Sequence, residues 1–274
     1  MRMLFPQGKI RALTFSYDDG VVQDKRLVEI FNKHGLKGTF NINGGCYNPG
    51  PQDPPYGRMT KKSAVDLLKN SGHEVAIHTL THPWLTKLES TEIVREITED
   101  RRQLEKDFGT IVRGMAYPYG VYNDTVIDVL KLCGVAYARG VASTHSFAIP
   151  QNWLVLQPTC HHKDPKLMEL AEKFLAPPRN LWYTPMLFYV WGHSYEFDDN
   201  DNWHIMEEFA EFIGGREEIW YATNMEIYEY VQAYNGLVTS YDKTMVYNPG
   251  NQEVWFSYRG KNYSVAPGQT VKIG

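Results

Sequence analysis

The sequence predicts an α/β fold of parallel strands that close, or nearly close, into a barrel, followed by a small antiparallel β appendage. Three observations predict it. Short apolar runs alternate with amphipathic helical stretches along most of the chain. Glycines and polar turns fall where a helix must stop or a strand begin. From Leu237 onward the period changes, and Val254, Phe256 and Tyr258 alternate with their neighbours. Residues 1–236 are therefore expected to form the barrel and 237–274 the appendage.

Residues 10–17 read as the first strand. The helix over 23–34 follows, with Leu27, Val28, Ile30 and Phe31 on its apolar face and Gly35 as its stop. A strand over 37–42 leads to a helix over 60–71, and a strand over 74–78 to a long helix over 90–108 closed by Gly109. The same alternation predicts a strand over 112–116, a helix over 123–133 and a strand over 135–138. Asp164-Pro165 reads as a cap with proline at the first helical position, opening a helix to Phe174. Met186–Trp191 is a strongly apolar strand. A helix over 202–213, a strand over 218–222 and a helix over 225–235 complete the series. About seven strands alternating with helices suit a barrel better than an open sheet, although the open sheet fits the same pattern.

Composition narrows the function classes. Of the 274 residues, 43% are hydrophobic and 22% charged, a globular balance. Net charge is −4 with no basic block, which argues against nucleic acid as a partner. The three cysteines, Cys46, Cys133 and Cys160, are scattered and form no CxxC pair, so neither a disulfide framework nor a structural zinc site is expected. No apolar run is long enough to span a membrane. Residues 1–9 lack the apolar core of a signal peptide, so a cytoplasmic location is the expectation for a full-length chain. Eighteen tyrosines and seven tryptophans suit either packing or sugar contact.

In parallel α/β folds, functional groups collect where strands end. The first strand ends in Ser16-Tyr17-Asp18-Asp19-Gly20. Adjacent carboxylates repel, and a cation resolves this by binding one and leaving the other free as a base. Alone, the run reads better as a polar turn with a helix cap. The third strand ends in His78-Thr79-Leu80-Thr81-His82-Pro83, whose two imidazoles can converge on one ion. With Asp19 they make a two-His, one-carboxylate set that leaves coordination positions open. Pro118-Tyr119-Gly120 is either a plain turn or one that aims a backbone N–H at an oxyanion. His193, after the Met186–Trp191 strand, faces the same mouth and is either a general acid or a buried structural histidine.

These motifs, in this order, resemble the NodB-type polysaccharide deacetylases, carbohydrate esterase family four. The resemblance runs from about residue 10 to 230 and implies a distorted (β/α)7 barrel. It implies Asp18 as base, Asp19, His78 and His82 as ligands of one divalent metal, Tyr119 as the source of an oxyanion-binding N–H, and His193 as acid. Zinc suits the ligands first, and cobalt, nickel or iron fit the same set. The implied substrate is an acetylated oligo- or polysaccharide, losing N-acetyl groups from amino sugars.

Three positions depart from the family pattern. Ala116 stands where an Arg normally pairs with the base. Asn152-Trp153 is the nearest match to an Asp-Trp motif whose Asp tunes the acid. Trp191 replaces a Leu before His193. His161, His162, Glu196 and Arg139 are candidates to supply the lost partners, although His161-His162 reads also as a polar turn before a helix. Competing readings are a non-sugar amidohydrolase like the allantoinases and imidases, an O-acetyl xylan esterase, and a non-catalytic carbohydrate-binding protein.

Overall fold

The computed structural model of the protein describes residues 1–177 and 184–274. A short strand β1 (Arg2–Leu4) precedes the alternating series β2 (Arg11–Asp18), α1 (Asp24–Lys33), β3 (Gly38–Ile42), α2 (Lys61–Leu68), β4 (Glu74–Ile77), α3 (Ser90–Phe108), β5 (Gly114–Ala116), α4 (Asp124–Leu132) and β6 (Tyr137–Arg139). Then come β7 (Cys160–His161), α5 (Leu167–Leu175), β8 (Met186–Gly192), α6 (Tyr195–Asp199), α7 (Trp203–Ile213), β9 (Ile219–Tyr221) and α8 (Asn224–Asn235).

The parallel strands follow the order β6-β5-β4-β3-β2-β8-β7, curled as a distorted (β/α)7 barrel. Every residue of β2 is buried, as expected for a strand covered on both faces. One edge of β2 is shared. Its lower half, Arg11–Leu13, pairs with β9, and its upper half, Phe15–Asp18, pairs with β3. Two residues of β7 are too few for a periodic signal, so the sequence reading misses this strand. The run leading into β7 has a structural task. Leu156 exchanges backbone hydrogen bonds with the β6 edge, and the Thr159 N–H donates to Tyr189 on β8. The run from 156 to 161 thus links the two ends of the sheet.

The core is aromatic and aliphatic. Phe15 packs on Phe31 at 4.5 Å, and Phe188 packs edge-on against Phe209 at 5.7 Å. Local caps place the helices. Thr60 caps α2, Asn123 caps α4, and Thr223 with Glu226 forms a capping box on α8. The helix expected from Asp164-Pro165 begins two residues later, at Leu167. Asp164 Oδ1 instead accepts from the Lys166 N–H in a turn.

After α8 the chain forms β10 (Val238–Thr239), β11 (Met245–Tyr247), β12 (Val254–Tyr258), β13 (Lys261–Val265) and β14 (Thr270–Lys272). They make two three-stranded antiparallel sheets, β10-β11-β14 and β1-β12-β13, so the first strand of the chain lies in a C-terminal sheet. Val246, Val254, Phe256, Val265 and Ile273 form a small core of their own. Tyr230 of α8 ties this region to the barrel. Its hydroxyl donates to the Leu4 carbonyl at 2.8 Å and accepts from the Trp255 N–H at 2.9 Å. Tyr230→Phe leaves two backbone groups without that partner and is expected to cost about 1–3 kcal/mol, read by urea denaturation.

Candidate active site

Asp18 is the last residue of β2 and is 2% exposed. Asn41 of β3 donates its amide to Asp18 Oδ1 at 2.8 Å. Arg139, the last residue of β6, places Nη2 2.5 Å from Asp18 Oδ2 and also bonds Oδ1. The Arg139 guanidinium is fully buried and lies over the Trp191 ring at 4.6 Å. Burial alone would raise the Asp18 carboxyl. Arg139, helped by His78 and His193, outweighs it and brings the pKa down to about 2.

Asp19 turns the chain away with a left-handed φ of 83°. This separates the two neighbouring carboxylates. Asp19 Oδ1 lies 4.0 Å from His78 Nε2 and 3.8 Å from His82 Nε2. The His78 Nδ1–H donates to the Ala116 carbonyl at 2.9 Å, which leaves the Nε2 lone pair facing Asp19. The buried carboxyl of Asp100 accepts the His78 backbone N–H at 3.0 Å. Thr79 and His82 both have positive φ, 67° and 60°, and the His82 N–H donates to Thr79 Oγ1. This local strain folds the segment after β4 so that both imidazoles face one point. Burial lowers the pKa of both histidines, His78 to about 4, so both are neutral and able to ligate. Donor chemistry, spacing and tautomer fit a divalent metal held by Asp19, His78 and His82.

Arg58, in the segment before α2, was not foreseen. Its Nη2 donates to Asp19 Oδ1 at 2.8 Å, and its Nη1 donates to the Asp19 carbonyl and to Asn43 Oδ1, both at 2.6 Å.

His193 follows β8. Its Nε2 is 3.9 Å from Asp18 Oδ2, and its Nδ1 is 3.5 Å from Glu196 Oε1 in the first turn of α6. The other oxygen, Glu196 Oε2, lies 3.2 Å from His161 Nε2, 3.1 Å from His162 Nε2 and 3.5 Å from Lys163 Nζ. The Lys163 backbone N–H donates to His161 Nδ1, so the His161 proton sits on Nε2, toward Glu196. His161, His162 and Glu196 thus form a second histidine–carboxylate group next to His193. Burial opposes the charge on Glu196, but the three imidazoles hold its carboxyl well below the usual carboxylate range. Burial likewise opposes protonation of His193, yet Glu196 and the Asp18 and Asp19 charges give a net upward shift.

Tyr119 sits at φ 59° in the turn after β5, against His82 at 4.7 Å and stacked on Trp84 at 4.3 Å. Asn152 and Trp153 do not join the site. Asn152 caps the short turn Trp153–Val155, and Trp153 packs edge-on against Tyr228 of α8 at 5.2 Å. The first turn of α8 bonds Glu74, the first residue of β4, so this pair lies at the opposite end of the barrel. A dipeptide likeness misplaced them.

The polysaccharide deacetylase family model matches residues 6–138. Over that stretch, just under half of its length, the chain is similar to the NodB-type polysaccharide deacetylases. A chitooligosaccharide deacetylase from Sinorhizobium fredii is 28% identical over 142 residues, 52% of this chain and 58% of that protein. A chitin deacetylase from Arthroderma benhamiae is 33% identical over 121 residues, 42% of this chain and 29% of that protein. The chain thus spans little more than half, or less, of these relatives' lengths. A Mycobacterium smegmatis protein assigned to the polysaccharide deacetylases superposes with a TM-score of 0.61 at 17% identity, over 86% of this chain and 95% of that one. The Xyl-CE4 domain of a multidomain xylanase from the hindgut metagenome of Trinervitermes trinervoides gives 0.53 at 15% identity, over 81% and 92%. At such identities the likeness is one of fold.

The family match ends before Arg139, His161, His162, His193 and Glu196. There the partners of Asp18 and His193 depart from the family pattern. Arg139 reaches Asp18 from the strand next to the one that carries Ala116. The only sequence signal for Arg58 was an arginine in a proline- and glycine-rich stretch, Pro54-Pro55-Tyr56-Gly57-Arg58. Asn41 and Asp100 gave none beyond being polar in apolar surroundings.

The Asp18 pKa is depressed in the folded state. The stabilisation it brings is present above its unfolded pKa, about 4, and is lost as pH falls toward 2. Arg139→Met leaves that charge buried and unpaired. It is expected to cost about 3–5 kcal/mol at pH 7 and clearly less at pH 3, measured by denaturant titration at both values.

Proposed function

We propose that the protein is a metal-dependent hydrolase that removes N-acetyl groups from an amino-sugar-containing oligo- or polysaccharide. The observation that carries this reading is the convergence of Asp19, His78 and His82 beside a buried, paired Asp18, with His193 on its other side. The named activities of the chitooligosaccharide and chitin deacetylases among its relatives support the substrate class.

Asp19, His78 and His82 would hold a divalent ion, which would supply Lewis acidity for the hydrolysis. Asp18 accepts the water proton as general base. Arg139 and Asn41 hold the Asp18 carboxylate ionised and in place for that role. The backbone N–H of Tyr119 donates to the developing oxyanion. His193 gives its Nε2 proton to the departing amine, releasing acetate and a free amino sugar. Glu196 Oε1 faces Nδ1 at 3.5 Å, while Nε2 faces Asp18. Trp84 and Tyr119 give the mouth a half-exposed aromatic rim on which sugar rings can rest.

Asp19→Ala and His78→Ala are each expected to abolish acetate release from acetylated chito-oligosaccharide. Chelation should do the same to the wild type, with activity restored by added zinc. Undiminished release in both variants overturns the metal role. Release only from small amides or acetylated xylan reassigns the substrate.

His193 has a raised pKa, so its acid form persists to higher pH than an ordinary imidazole. Glu196→Gln removes the main cause. The alkaline limb of the kcat/KM profile is expected to move down toward about pH 6.5. An unmoved limb removes Glu196 from this role.

A further inference from the structure

Arg58 connects the two halves of the ligand set. Its guanidinium holds Asp19 at both the carbonyl and the carboxylate, and it reaches Asn43 Oδ1 with the nitrogen that bonds the carbonyl. Asn43 in turn donates its amide to the His78 carbonyl and to the Thr79 carbonyl, the latter at 2.8 Å. A continuous hydrogen-bonded path therefore runs from the end of β2 to the end of β4, through one arginine and one asparagine.

Both ends of this path are under local constraint. Asp19 has a left-handed φ of 83°, and Thr79, directly after His78, has one of 67°. Neither is glycine, and such a conformation persists only where its surroundings enforce it. Arg58 and Asn43 bond the carbonyls that follow these torsions. The Asp19 oxygen that Arg58 holds, Oδ1, is also the carboxylate oxygen facing His78 and His82.

We infer that Arg58 is a positioning residue for the metal site, with Asn43 setting the separation between Asp19 and the histidine pair. The inference rests on the proposed metal role of Asp19, His78 and His82. It assigns Arg58 a geometric task that its charge alone opposes, because a guanidinium beside a ligand carboxylate disfavours a cation electrostatically. Orientation and charge thus make opposite predictions for its removal.

The test is direct zinc affinity of the apo protein, measured by competition with a chromophoric chelator, together with the visible spectrum of the cobalt-loaded protein. Arg58→Ala is expected to weaken zinc binding by about 10–100-fold and to change the cobalt spectrum. Arg58→Lys keeps the charge and the fold but cannot span three acceptors, so it too should lose affinity. Unchanged or tighter binding in Arg58→Ala, or wild-type affinity in Arg58→Lys, overturns the inference. Asp19→Ala separates the two levels. If it binds zinc like the wild type, the metal reading itself fails. If it loses zinc while Arg58→Ala keeps it, only the role of Arg58 fails.

Discussion

The site depends on keeping two consecutive carboxylates charged at the end of a buried strand. At an effective dielectric near 20, like charges 4 Å apart repel by about 4 kcal/mol. The fold answers with geometry and with cations. The left-handed turn at Asp19 sends the second carboxylate away from the first. Each then has its own arginine, Arg139 from inside the barrel and Arg58 from the mouth. The remaining groups are arranged around this division. Trp191 covers Arg139, Asn43 braces Arg58, and His193 looks at the carboxylate that Arg139 holds.

Much of the fold was legible because its signals are local. β2, β3, β8, α1 and α3 have long periodic patterns, and Gly109 ends α3 with a φ of 70° as the sequence implied. What escaped has non-local causes. β1 exists only because β12, some 250 residues later, pairs with it. β7 is a strand only because its run bridges two sheet edges. The same division runs through the site. Asp18, Asp19, His78, His82 and His193 could be located because each follows an apolar strand. Arg58 and Arg139 could not be assigned, because the carboxylates that define them lie 39 and 121 residues away.

The mouth carries backbone strain. Asp19, Thr79, His82 and Tyr119 all have positive φ without being glycine. Each such residue costs of the order of 1–3 kcal/mol, which only an over-determined surround can hold. The surround here is the fully buried β2 with its phenylalanine-rich core below. The C-terminal sheets carry their own core and join the barrel through Tyr230.

The move of the guanidinium from the end of β5 to the end of β6 has a consequence for how such chains are compared. Read by motif, this chain has Ala116 where the family pattern has an arginine, and its nearest likeness to the Asp-Trp motif, Asn152-Trp153, lies away from the site. Compared by which charges touch, it has lost neither kind of partner. Arg139 holds the first carboxylate, and Glu196 faces the histidine. A search that scores residue columns would file this chain as degenerate, while one that scores pairs of neighbours would keep it. Catalogues of inactive relatives are better drawn from the second kind of comparison.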